Sequence, residues 1–126
     1  MRSVIITLII AVGMVSGSVM YASHLKEQSE MLSEITKDIK DDIINENYSS
    51  AAAGIKRLDK NVSRFEKFFL ATGDHIEMDN IKTNISELKS YTKHKMKGDA
   101  MSKVYVLEFL FEHLPHNNQV KIGNIL

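Results

Sequence analysis

Cysteine is absent from the chain, and that one absence removes several chemistries at once. Disulfide staples, thiolate catalysis and cysteine-ligated zinc or iron–sulfur centres are all excluded. Net charge is missing as well, because sixteen lysines and arginines are matched by sixteen aspartates and glutamates. Without Arg2 the remainder holds fifteen basic against sixteen acidic residues, so it is almost neutral. A general nucleic-acid binder needs a basic surface to replace phosphate counterions, and this chain has none overall. Enzyme signatures are lacking too: there is no glycine-framed nucleophile, no phosphate loop and no metalloprotease helix. The chain therefore reads as non-enzymatic, with no cofactor expected.

What is present first is an apolar run, Val4 to Tyr21, which carries no charged residue and follows a lone Arg2. Eighteen helical residues span about 27 Å, the thickness of a bilayer's hydrocarbon core. Tyr21 stands where an interfacial aromatic belongs. The positive-inside rule places the N-terminus in the cytoplasm and the rest outside, so the bilayer itself is a partner through residues 4–21. A cleaved signal peptide has the same outline, but Ser16-Gly17-Ser18 and Met20-Tyr21-Ala22 are mediocre cleavage sites. The expected division is thus 1–21 as cytoplasmic stub and single-pass anchor, and 22–126 as an extracytoplasmic domain. About 105 residues suffice for one domain and no more.

That domain reads as all-α. Leu25, Leu32, Ile35, Ile39 and Ile43 make one helix face, and no breaker separates it from the apolar run, which predicts a continuous rod. Asn45-Glu46-Asn47 is the first turn. Tyr48, Ala51, Ile55, Leu58, Val62, Phe65 and Phe69 form a second face, with Gly54 admitting a close neighbour. The first helix leans acidic and the second basic (Lys56, Arg57, Lys60, Arg64, Lys67), so surface pairs between them are expected. Gly73-Asp74 ends the second helix and caps a third, with Glu77 completing a capping box. The third face is Met78, Ile81, Ile85, Leu88 and Tyr91. Gly98-Asp99 looks like the same punctuation, followed by Val104, Leu107, Leu110, Phe111 and Leu114, with Pro115 as the stop.

Short turns make this an antiparallel four-helix bundle. A faint repeat at a shift of 52 residues, laying Tyr48, Ala52, Ile55, Leu58 and Val62 on Ala100, Val104, Leu107, Leu110 and Leu114, keeps tetratricopeptide-like hairpins as the alternative. In the up-and-down topology the Asp74-His75 start of the third helix and the Glu112-His113 end of the fourth share the membrane-proximal end. The basic loop Lys93-His94-Lys95-Met96-Lys97 goes to the far end.

The densest polar cluster is Asp74-His75-Ile76-Glu77-Met78-Asp79-Asn80. His75 and Asp79 stand four apart on one face, and with His113 they would make a weak metal site or small-ligand sensor. Capping and hydrogen bonding are the plainer reading. The expected contact surface for another membrane or envelope protein is His75, Glu77, Asp79, Asn80, Glu112, His113 and the tail Asn124, Ile125 and Leu126. Phe65, Phe68, Phe69, Phe109 and Phe111, at helical spacing, read as core.

The stretches Asp74-His75-x-Glu77-x-Asp79-Asn80-Ile81, Leu88-Lys89-x-Tyr91, Glu112-His113-Leu114-Pro115 and Asn124-Ile125-Leu126 resemble a family of short proteins from clostridia and related spore-forming bacteria. It is family number 4363 of the domains of unknown function, and the resemblance covers nearly the whole chain, including the apolar run. It implies an anchored, extracytoplasmic helical protein with no assigned activity, in an accessory role beside another small membrane protein. Where family members tend to carry tryptophan, this chain has Tyr48 and the Phe65, Phe68, Phe69 group, which keeps the aromatic packing.

Overall fold

The computed structural model describes residues 1–69 and 75–125, with side chains as far as Leu114 apart from Phe69. It contains four α-helices: α1 Arg2–Ile44, α2 Tyr48–Phe69, α3 His75–Lys93 and α4 Lys97–Ile125. Among the described residues there is no strand. The apolar run and the first bundle helix are indeed one unbroken α1, about 64 Å long. Residues 1–20 are exposed throughout, and burial begins at Tyr21. One helix is thus long and apolar enough to cross a membrane, and it lies at the N-terminus, where an anchor or a signal sequence would.

The predicted apolar faces meet in one core. Leu25, Leu32, Ile39 and Ile43 of α1 pack with Ala51, Ile55, Leu58, Val62 and Phe65 of α2. Met78, Ile81, Ile85 and Leu88 of α3 and Ala100, Val104, Leu107, Phe111 and Leu114 of α4 complete it. Neighbouring helices are antiparallel, and α4 returns onto α1, so the bundle closes on itself instead of stacking as open hairpins. Among the described residues each of the four seams carries an ion pair: Arg57–Asp38 (3.5 Å), Lys82–Glu66 (2.5 Å), Lys103–Glu87 (2.5 Å) and Lys40–Glu108 (2.9 Å). Among the described residues the acidic–basic match of α1 and α2 yields Arg57–Asp38, the most exposed of them, which contributes little. Gly54 does admit a close neighbour. A Cβ placed there would lie 2.9 Å from Ile39 Cγ1.

Both turns at the end away from the apolar run are Schellman motifs with a non-glycine residue in the left-handed position. In the first, Glu46 (φ 59°) follows Asn45, and the N–H groups of Glu46 and Asn47 donate to Ile43 and Asp42 carbonyls at 3.0 and 2.8 Å. In the second, Lys95 (φ 56°) follows His94, and Lys95 and Met96 donate to Thr92 and Tyr91 at 3.1 and 2.8 Å. This corrects the expected stop at Gly98-Asp99, which instead lies in the first turn of α4. Lys97 Nζ ties the turns together. It donates to the Ile44 carbonyl at 2.9 Å, where the α1 C-terminus favours a cation.

The turns also correct the repeat. Their register is 49 residues, not 52, and it matches buried position to buried position. Ala51, Ile55, Leu58, Val62 and Phe65 answer to Ala100, Val104, Leu107, Phe111 and Leu114, while Ser29, Leu32, Thr36, Ile39 and Ile43 answer to Met78, Ile81, Ile85, Leu88 and Thr92. The chain is a helical hairpin used twice.

Pro115 does not end α4, which continues to Ile125. A proline there has no N–H to give the Phe111 carbonyl four residues earlier. The Ser29 hydroxyl on α1 donates to that carbonyl instead, in a buried hydrogen bond between the two helices. This accounts for a polar residue at a core position of α1. Thr36, the other one, satisfies its hydroxyl on the Leu32 carbonyl at 2.8 Å.

Candidate functional site

The register of α3 against α4, fixed by Lys103–Glu87, sets Glu112 and His113 level with Met78 and Glu77. The two sequence motifs therefore do share one end of the bundle, the end from which the apolar segment leaves. His75, Asp79 and Asn80 are exposed there, Glu77 is half-buried in the acidic first turn of α3, and the Asn80 carbonyl accepts from Asn84 Nδ2 at 2.7 Å. Asp74, Gly73 and Leu126 lie outside the described residues, as do the side chains of Asn124 and Ile125, so the cap and the tail surface are not placed.

Sharing an end is not sharing a site. Among the described residues no three His, Asp or Glu side chains are disposed to hold one ion, so His75, Asp79 and His113 do not form a metal cluster. The reason lies on α4. His113 leaves its outer face, stacks on Phe109 at 4.1 Å between ring centroids, and sets Nδ1 2.8 Å from the Phe109 carbonyl. A carbonyl only accepts, so Nδ1 is the donor in that contact.

Phe109 corrects the reading of all five phenylalanines as core. It is 59% exposed, and so is Tyr105 at 57%, one turn away, with Val106 beside them. Phe65 and Phe111 are core, and Phe68 is half-buried. The outer face of α4 is therefore an aromatic ridge, Tyr105–Phe109–His113, running down to the end that carries His75 and Asp79. Lys40 Nζ sits 5.5 Å from the Tyr105 ring centroid while paired to Glu108, and the hydrogen bond to Glu108 holds the Lys40 ammonium above its ordinary value of 10.5. The sequence carried a signal for this ridge: from Val104 to Phe111 every residue but Glu108 is apolar, more than one buried face can absorb.

On the opposite flank, at the same end, Tyr21 and His24 of α1 close on Phe68 of α2. The Tyr21 ring stacks at 4.9 Å and the His24 ring meets it edge-on at 4.6 Å. Tyr21 thus packs on the bundle. A cavity of about 290 Å³ opens beside them, walled by Met31 and Phe65 with Asn61 and Arg64 at its polar side.

An all-helical bundle built from two hairpins on one long N-terminal helix, with no metal-binding cluster among its described residues, is the class these observations define. The family model described as "Domain of unknown function (DUF4363)" matches residues 19–125, and the chain belongs to that family. The match begins near the end of the apolar run, so residues 1–18 lie outside it and the resemblance is to the bundle. No curated protein and no solved structure matches the chain.

Proposed function

We propose that the chain is a membrane-tethered, extracytoplasmic, non-enzymatic module that binds another integral membrane or envelope protein. The observation that carries this is the continuity of α1: an exposed apolar segment passes into the bundle core with no linker between them. With residues 4–21 in the bilayer and the N-terminus cytoplasmic, the bundle stands on the membrane at fixed height. It can meet only what is in that membrane or comes to it. The polar end with His75, Glu77, Asp79, Asn80, Glu112 and His113 then lies against the bilayer surface, and the Tyr105–Phe109 ridge rises from it.

Such a ridge fits an integral partner, because aromatic side chains give large contact area at low entropic cost. The test is site-specific photo-crosslinking in intact cells, with the crosslinker at Phe109 and, as control, at Lys56 on α2. An adduct with a membrane protein from position 109 and none from 56 is the expected result. If substituting His75, Asp79 and His113 together with Tyr105→Ser left the adduct from position 109 at full yield, the surface would be wrong. Protease added to intact spheroplasts digests the bundle at once if the domain is exported as proposed, and protection until lysis would overturn the orientation.

A further inference from the structure

We propose that the cleft between the start of α2 and the end of α3, in the half of the bundle remote from the apolar segment, binds an anion that carries an apolar group. The hairpin repeat supplies an internal reference for reading it. At the positions of the first hairpin that answer to Lys89, Thr92, Lys93 and Lys95 stand Lys40, paired to Glu108, then Ile43, Ile44 and Glu46. The second hairpin departs from that reference in two ways, and both converge on a cavity of about 340 Å³.

The first departure is Thr92. It is 2% exposed and forms part of the cavity wall, yet its hydroxyl has no hydrogen-bond partner. Thr7 and Thr36 satisfy theirs on the carbonyl four residues earlier. A buried hydroxyl without a partner is costly, and the repeat shows that an isoleucine fills this place. The second is charge. Lys89, Lys93 and Lys95 border the same cavity, and none has an acidic partner among the described residues. Lys89 and Lys93 are like charges one turn apart, which weakens a helix. The left-handed turn is common to both hairpins, Glu46 at φ 59° and Lys95 at φ 56°, so what changes at it is the charge, from glutamate to lysine.

An anion resolves both at once, and the turn sets Lys95 on the cavity's border. Ammonium groups act as point charges toward phosphate-like oxygens, and the hydroxyl adds a donor. The first turn of α2, where the Ser50 N–H is already taken by Asn47 Oδ1, borders the same cleft through Tyr48 and Ser49. The remaining wall, Tyr48, Ala52 and Ile55, is apolar and sets the second half of the ligand's chemistry. Thr92 and its equivalent Ile43 lie about 33 Å along the bundle from Tyr21, so headgroups at the apolar segment's own end do not reach it.

The test titrates the full chain in nonionic micelles with hexyl phosphate, inorganic phosphate and hexanol, each against empty micelles, by calorimetry. Hexyl phosphate binds saturably, inorganic phosphate at least tenfold more weakly, and hexanol not at all. Thr92→Val weakens hexyl phosphate about fivefold and Lys95→Gly by a similar factor, both without loss of thermal stability. No saturable binding, equal binding of inorganic phosphate, or unchanged affinity in both variants would overturn the proposal.

Discussion

Ser29 and Pro115 make a quantitative test of how the bundle is joined. The Phe111 carbonyl is buried, proline denies it the N–H that a helix normally supplies, and the Ser29 hydroxyl takes that place. Ser29→Ala removes the donor and leaves the carbonyl without a partner, at a cost of about 1–3 kcal/mol. For a bundle of this size that lowers Tm by roughly 4–12 °C. Pro115→Ala restores the N–H, so in its background the carbonyl has a partner within α4 and Ser29→Ala costs less than about 0.5 kcal/mol. The double-mutant cycle therefore gives a coupling energy of about 1–2 kcal/mol. Thermal unfolding of the four proteins in micelles, followed by far-ultraviolet circular dichroism, measures it. If Ser29→Ala costs the same in both backgrounds, the serine does not serve the carbonyl that proline vacates, and the explanation for the polar core position fails.

Helix propensity alone says that Gly54→Ala stabilises by about 1 kcal/mol, but a methyl 2.9 Å from Ile39 Cγ1 overpacks a buried seam by about 1–3 kcal/mol. The net expectation is destabilisation by about 1 kcal/mol, and a raised Tm would show that α1 and α2 do not touch there. Lys95→Gly relieves a left-handed lysine and stabilises by roughly 0.5–1 kcal/mol, as does Glu46→Gly; denaturant midpoints that fall for both would contradict the turn assignment. Lys40 and Lys103 are held above the ordinary lysine value by hydrogen bonds to Glu108 and Glu87. Their raised folded-state values mean a contribution fully present below pH 10.5 and lost as pH climbs through the higher folded value. The alkaline fall in Tm should therefore be shallower in a Lys40→Met, Lys103→Met variant, and an equally steep fall would remove the ion pairs as its cause.

Helix number and facing were legible because the apolar periodicity of each segment is strong, and the loop at Asn45-Glu46-Asn47 was announced by its own polarity. The second turn was not. Lys95 adopts the glycine-like conformation while a real glycine sits three residues on, inside the helix, so composition pointed to the wrong place. The same error shifted the repeat by three residues and hid that the two hairpins bury equivalent positions. Ser29 and Thr92 were invisible as core because a hydroxyl gives no hydrophobic signal, and what satisfies Ser29, or fails to satisfy Thr92, is a matter of tertiary placement. The histidine and acidic motifs were correctly sent to one end by topology. Whether their side chains converge depends on rotation about each helix axis, which periodicity of the polar residues does not report.

The unbroken passage of α1 from apolar segment to core has a consequence for phase. A helix advances about 100° and 1.5 Å with each residue, so any residue added between Gly17 and Leu25 turns the bundle about the axis of α1 by that angle. One inserted alanine would swing the Tyr105–Phe109 ridge through more than a quarter of a circle, whereas seven would return it nearly to its starting bearing, two turns further out. Azimuth and height are thereby coupled in a way that a hinged domain would not show. Twisting of the apolar segment by a neighbour would reach the far turns as rotation of the whole bundle.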